Sequence, residues 1–206
     1  MQYIAPLFRN RTDMQNPPVA AIDSFTWDVN GCRPESYAVL FGVENEGIYA
    51  RLWSFEENIR CECTKRDDPV YTDSCLELFL MPVEGDERFM NFEVNKSGVY
   101  LSQIGTCRAD RVFIKELTDL EPVIEPFEIT ENGRKAWGYE IFIPDSFISS
   151  LYGVDYSTKE RSIKGNFYKC GDGTALPHYG SHFPVRTEKP DFHRPEFFGD
   201  IIFRKV

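Results

Sequence analysis

The chain is short of positive charge. Its 206 residues carry 23 Lys and Arg against 33 Asp and Glu, a formal net charge of −10. Too few basic side chains are present to neutralise phosphates over a surface, so nucleic acid and anionic membranes are excluded as expected partners. A long apolar run is also missing, and nothing approaches the roughly 18 residues of a membrane-spanning helix. The opening residues MQYIAPLFRNRTDMQN contain no apolar signal segment, which gives the expectation of a cytoplasmic protein unless a signal was removed. Internal repeats, low-complexity tracts and linkers are absent too. The chain therefore reads as one domain over residues 1–206, long enough for a substantial core. Nothing in it indicates an oligomeric state.

Cysteine is present but sparse, at six residues. In a chain of this size without a signal segment, free thiols are expected rather than disulfides. Cys61-Glu62-Cys63 is a lone pair without a second one, a weak zinc signal.

What the chain does have is alternation and rings. Aromatic residues make up 15 % of it. Period-2 segments predict strands at Tyr37–Val43, Ile48–Phe55, Cys75–Leu80, Phe89–Asn95, Val99–Ile104, Val123–Thr130, Lys135–Ile143, Ser162–Cys170 and Asp200–Arg204. Glu131-Asn132-Gly133 is a hairpin signal. One short helix is expected over Pro144–Tyr152, with Pro144 and Asp145 at its start and Gly153 at its stop. The fold class is all-β, an antiparallel β-sandwich of jelly-roll or immunoglobulin-like type with one short helix. A long irregular stretch, Gly171–Gly199, holds all three histidines and reads as functional or a lid.

The strand faces point to a polar surface. Burying Leu76, Leu78 and Leu80 with Met90, Phe92 and Val94 turns Glu77 to the same side as Asn91, Glu93 and Asn95. The same rule sends Arg51 and Trp53 to that side, with Asn166 and Tyr168 joining if Phe167 faces the core. Carboxylates, amides, a guanidinium and rings are what sugar hydroxyls and the apolar face of a pyranose require. The plainer reading is a wet sheet face with charges paired across strands.

Several motifs resemble those of family 9 carbohydrate-binding modules. Asp73-Ser74-Cys75-Leu76-Glu77-Leu78-Phe79 is similar to that family's "D-S-x-E-(I/L/F)-F" strand, and Asn91-Phe92-Glu93-Val94-Asn95 to its "F-x-V-N" strand. Pro190 to Ile201 resembles its closing "W-x-x-P-x-x-F-G-x-L", and Asn166 to Asp172 is similar to a motif in family-9-like proteins of gut and soil bacteria. The resemblance implies a β-sandwich in which two rings clamp a glycan end, falling here on Tyr71 and Phe192. It places the hydroxyl-binding Glu on Glu77 and the Asn on Asn95. The family's clamp tryptophans are a tyrosine and a phenylalanine here. Its binding arginine falls on Glu93, with Arg51 or Arg194 as replacements. No counterpart of the calcium cage found in xylanase modules is legible.

The expected function is non-catalytic binding of a glycan chain end or small saccharide, beside glycoside hydrolases in polysaccharide use. Its expected ligand-binding residues are Tyr71, Glu77, Glu93, Asn95, Phe192, Arg51, Lys169 and His182. No catalytic residue, metal or cofactor is assigned, with calcium a minor alternative at the acidic runs. Two other readings stay open: a hydrolase using Glu77 and Glu93 as acid and base, and a haem- or metal-binding sandwich using His178, His182, His193 or Met90. The family binds without hydrolysing, and the alternation turns Met90 into the core.

Overall fold

The alternating segments form strands where they were predicted. In a computed structural model, which describes residues 1–206 apart from 15 and 29, these are β1 (Gln2–Phe8), β2 (Ala20–Ala21), β3 (Glu35–Val43), β4 (Gly47–Phe55), β5 (Cys75–Met81), β6 (Phe89–Asn95), β7 (Tyr100–Gly105), β8 (Val112–Phe113), β9 (Val123–Glu131), β10 (Arg134–Pro144), β11 (Ser162–Cys170), β12 (Tyr179–Ser181) and β13 (Gly199–Lys205). One helix, α1 (Asp145–Tyr152), follows β10 and stops at Gly153, whose φ of 70° suits a residue without a Cβ. Asn132 and Gly133 both take positive φ, 50° and 77°, as a two-residue hairpin between β9 and β10 requires. Among the described residues, no helix is long and apolar enough to cross a membrane.

The strands are hydrogen-bonded in the order β8-β7-β6-β5-β11-β13-β1-β3-β4-β10-β9, with β12 on β11 and β2 on β3. The sheet curls so that its two halves face each other as a β-sandwich. Leu76, Leu78, Leu80, Met90 and Phe92 from one half share a core with Leu40, Ile48, Leu52, Tyr139 and Ile141 from the other. Trp137 and Met90 lie in this core, as their parity required. The pairing is antiparallel except at β1, which runs parallel to both β13 and β3 and joins the two halves.

The polar face is not wet, which corrects the plainer expectation. Every side chain from Cys75 to Leu80 is at most 2 % exposed, so β5 is buried on both sides. A second core covers the Glu77 face, built from Cys75, Phe79, Phe89 and Tyr168 on the strands and Trp27, Val70, Val185, Phe192 and Phe198 from the loops. The physical reason lies in the strands themselves. Cys75, Phe79, Phe89 and Tyr168 are apolar or aromatic on that side, and burying such rings stabilises by about 2 kcal/mol each. The irregular segment after β11 supplies the cover. Its closing Gly199 is required there, because a Cβ at that position would stand 2.2 Å from the Phe183 ring.

Candidate functional site

Glu77 and Glu93 are direct cross-strand partners on β5 and β6, and Tyr168 of β11 flanks Glu77 on its other side. All three point into the layer beneath the loops. There Glu77 and Glu93 meet a cavity of about 370 Å³ whose lining includes Tyr71, Gln103, Arg108, Arg111, Asp172, Tyr179, Asp191, Phe192 and His193. That volume falls in the range of small-molecule sites.

The rim is fixed by short hydrogen-bonded devices. Asp110 accepts the Thr106 and Cys107 amides at 2.9 Å and the Thr106 hydroxyl at 2.6 Å, closing the turn that presents Arg108 and Arg111. Arg108 donates to Asp191 at 3.1 Å, and Asp191 accepts the His193 amide at 3.1 Å. The Tyr71 loop is sewn to the segment after β11, since the Asp172 amide donates to the Tyr71 carbonyl at 3.1 Å and the Gly173 amide to that of Thr72 at 3.0 Å. Phe192 stacks on Tyr168 at 4.1 Å between ring centres, with planes 13° apart. Trp27 closes on it at 5.8 Å and donates from its indole to the Thr187 carbonyl at 2.7 Å.

The electrostatics are those of acids held out of water. Burial raises the Glu77 carboxyl well above its ordinary range, and Glu93 adds to the rise. Burial also lifts Glu93, to about 7, against the pull of Arg111 and Arg108. Glu93 Oε1 accepts the Asn91 amide at 3.0 Å and lies 4.0 Å from Arg111 and 3.8 Å from His193. Glu93 Oε2 and Asn91 Oδ1 are buried without a partner. Burial depresses His193 to about 4, so its ring is neutral at pH 7. It accepts a hydrogen bond from Arg111 at Nε2.

Of the predicted residues, Tyr71, Glu77, Glu93 and Phe192 come together here. Tyr71 is 43 % exposed at the mouth, whereas Phe192 is only 6 % exposed. The other four lie elsewhere. Asn95 sits at the hairpin end, its amide donating to Asp73 and to the Cys63 carbonyl, its oxygen accepting the Ser97 and Val99 amides. Arg51 is on the outer face of β4, 3.3 Å from Glu140 and stacked over Phe127. The parity argument that joined Arg51 and Trp53 to Glu77 fails because the outer faces of two packed sheet layers point in opposite directions. Lys169 projects from the opposite side of β11 to Tyr168 and is fully buried, bonded to the Cys170 carbonyl, His178 and Glu56. His182 bonds the Ala21 carbonyl beside Tyr3 and Phe167. Arg194 pairs with Glu196 on the surface.

Sequence reasoning missed Arg108, Arg111, Asp172, Asp191 and His193 as a group. They sit on aperiodic loops, where strand parity gives no direction. The available signal was two arginines bracketing Asp110 in the short segment after β7.

Two other hollows compete. The larger of the two, about 1150 Å³, lies on the outer face of β3, β4 and β10. Its rings Phe41, Tyr49 and Phe142 stack on one another at 5.1 and 4.4 Å, with Arg11 over the last two, so their faces are already covered. A smaller one, about 200 Å³, lies beside Cys32, Glu56 and His178. There Lys169, Glu56 and Ser74 close a hydrogen-bonded network. The three histidines are dispersed. Among the described residues, no group of three or more His, Cys, Asp or Glu is arranged to hold a metal. All six cysteines are free thiols.

No curated protein sequence matches the chain. Among solved structures it is similar over 98 % of its length, and 99 % of the other chain, to a Bacteroides uniformis protein described as a candidate carbohydrate-binding protein, with 24 % identity and a TM-score of 0.79. It is also similar in fold to a family 9 carbohydrate-binding module from Caldicellulosiruptor kristjanssonii. The complex of that module with glucose gives 8 % identity and a TM-score of 0.62, covering 100 % of this chain and 97 % of that one. Its complex with cellotriose gives 8 % identity and 0.57, covering 100 % and 95 %. The family model described as carbohydrate-binding family 9 matches residues 9–203, and the chain belongs to that family.

Proposed function

We propose that the chain binds a glycan end or a small saccharide in the cavity over Glu77 and Glu93, without hydrolysing it, and serves polysaccharide use in that way. Family membership supports carbohydrate as the ligand class. The observation that carries the site is Glu93, a side chain 97 % buried whose Oε2 has no partner at the floor of a ring-walled cavity. A buried carboxylate oxygen without a donor is costly, and a sugar hydroxyl supplies the donor. Glu77 and Arg111 add an acceptor and a donor beside it. Tyr71 provides the exposed wall, and Phe192 with Tyr179 the facing one.

Glu77 and Glu93 both rise from one sheet floor, on adjacent strands, rather than from opposite walls of the cavity. That arrangement favours holding hydroxyls over flanking a glycosidic bond. A thermal-shift screen against mono- and oligosaccharides tests the reading. At least one sugar is expected to raise the melting temperature of the wild type, by mass action on the folded state, and to do so less for Tyr71→Ala. A flat response across the screen, from folded protein, would count against it.

A further inference from the structure

The charge of the cavity narrows the ligand further, an inference that rests on the carbohydrate reading above. Four carboxyls line the cavity, those of Glu77, Glu93, Asp172 and Asp191, against the two guanidiniums of Arg108 and Arg111. Arg108 is committed to Asp191 at 3.1 Å, and Arg111 stands 4.0 Å from Glu93. His193 is neutral at pH 7. Lys169, on the far side of β11, is held by Glu56 and His178. Glu77 and Asp172 are therefore left without a cation. Glu77 is 2 % exposed and faces Glu93 directly across the ladder, where Glu93 Oε2 has no partner.

Two carboxyls side by side and out of water need either a proton or a positive group between them. A neutral sugar hydroxyl brings no net charge. An ammonium on a sugar ring does, and among its three hydrogen bonds it can supply the donor that Glu93 Oε2 lacks. We infer that the cavity prefers sugars bearing a free, protonated amino group, with the ammonium seated between Glu77 and Glu93, and that it discriminates against uronates, whose carboxylate would enter a cavity lined by four carboxyls and two guanidiniums. The raised carboxyl of Glu77 is in keeping with this, because an ammonium takes the place of the proton that burial and Glu93 hold there.

Isothermal titration at about pH 6, where hexosamines are charged and carboxylates with ordinary values are ionised, tests the inference. The probes are glucose, glucosamine, N-acetylglucosamine and glucuronate, with the four galacto counterparts. The expected result is that one amino sugar binds about tenfold more tightly than its neutral parent, a difference of about 1.4 kcal/mol. Acetylation should remove the gain, uronates should give no heat, and Glu77→Gln should bring the amino sugar down to the affinity of the neutral one. A thermal melt confirms that the variant is folded, and Glu93→Gln serves in its place if it is not. Neutral sugars binding as tightly as amino sugars in both series, or a uronate binding best, would overturn the inference and leave the carbohydrate reading intact. An unchanged preference in a folded Gln variant would overturn the seat between the two acids. Absence of heat with every sugar would overturn the carbohydrate reading and this inference with it.

Discussion

Glu77 and Glu93 stand opposite each other in register on β5 and β6, both nearly inaccessible, on a sheet face that a second aromatic core covers. Two neighbouring acids in such a place are a standing cost to the empty protein.

The first concerns pH. Glu77 has a raised carboxyl, so the folded state holds its proton more tightly than the unfolded chain does. Its contribution is fully present below the ordinary glutamate range and is lost as pH rises through the folded value. Glu93, Asp172, Arg111 and the Cys170 thiol are the groups that act on it. Glu77→Gln carries no charge to bury. Its melting temperature should therefore match the wild type near about pH 4.5 and exceed it by several degrees near about pH 8. Calorimetry across that range checks the sign, and a variant that loses ground as pH rises would contradict it.

The second concerns Asp73. It accepts the Glu62 and Cys63 amides at 2.9 Å each and the Asn95 side chain at 3.0 Å, tying the loop before β5 to the end of β6. Burial pushes its carboxyl up, but those hydrogen bonds outweigh it and hold the value below the ordinary range. Asp73→Ala should cost roughly 3 kcal/mol by leaving three donors without an acceptor. The wild-type advantage is present above the ordinary aspartate range and should shrink as pH falls through the lowered value. Urea denaturation at neutral and acid pH reads both.

The third separates wall from brace. Tyr71 is exposed and Phe192 is stacked on Tyr168 beneath Trp27. Tyr71→Ala should weaken sugar binding with a change in stability below about 0.5 kcal/mol. Phe192→Ala should cost about 3–5 kcal/mol of stability as well as binding. Equal stability losses in the two would contradict this division.

The fourth concerns Gly199. A methyl group there would meet the Phe183 ring at 2.2 Å, inside the packed start of β13. Gly199→Ala should cost about 1–3 kcal/mol by overpacking. Phe183→Leu in the same chain should recover part of the loss, and the recovery is measured by comparing melting temperatures of the single and double variants.

Strand parity made the floor of the site legible. The alternation of Leu76, Leu78 and Leu80 fixed the direction of Glu77, and that of Met90, Phe92 and Val94 fixed Glu93, because a one-residue slip would expose the whole apolar set. Parity cannot say what lies above a face. Phe79 and Tyr168 share the Glu77 side and signal a covering layer, yet the polar neighbours made it read as wet. Nor can parity distinguish two layers that face away from each other, which is why Arg51 joined the list and does not reach the cavity. β1 escaped notice for a different reason, since a strand interrupted by Pro6 and paired in parallel offers no hairpin signal. Arg108, Arg111 and His193 come from loops placed by Asp110 and Asp191, and such contacts leave no period in the sequence.

The most direct test of sugar binding over Glu77 and Glu93 is a crystal structure with the sugar that gives the largest thermal shift. The ring is expected in the cavity between Tyr71 and Phe192, with one of its polar groups within hydrogen-bonding distance of Glu93 Oε2. A sugar seated instead on the outer face beside Arg51 and Trp53, with the Glu77 cavity holding only water, would contradict it.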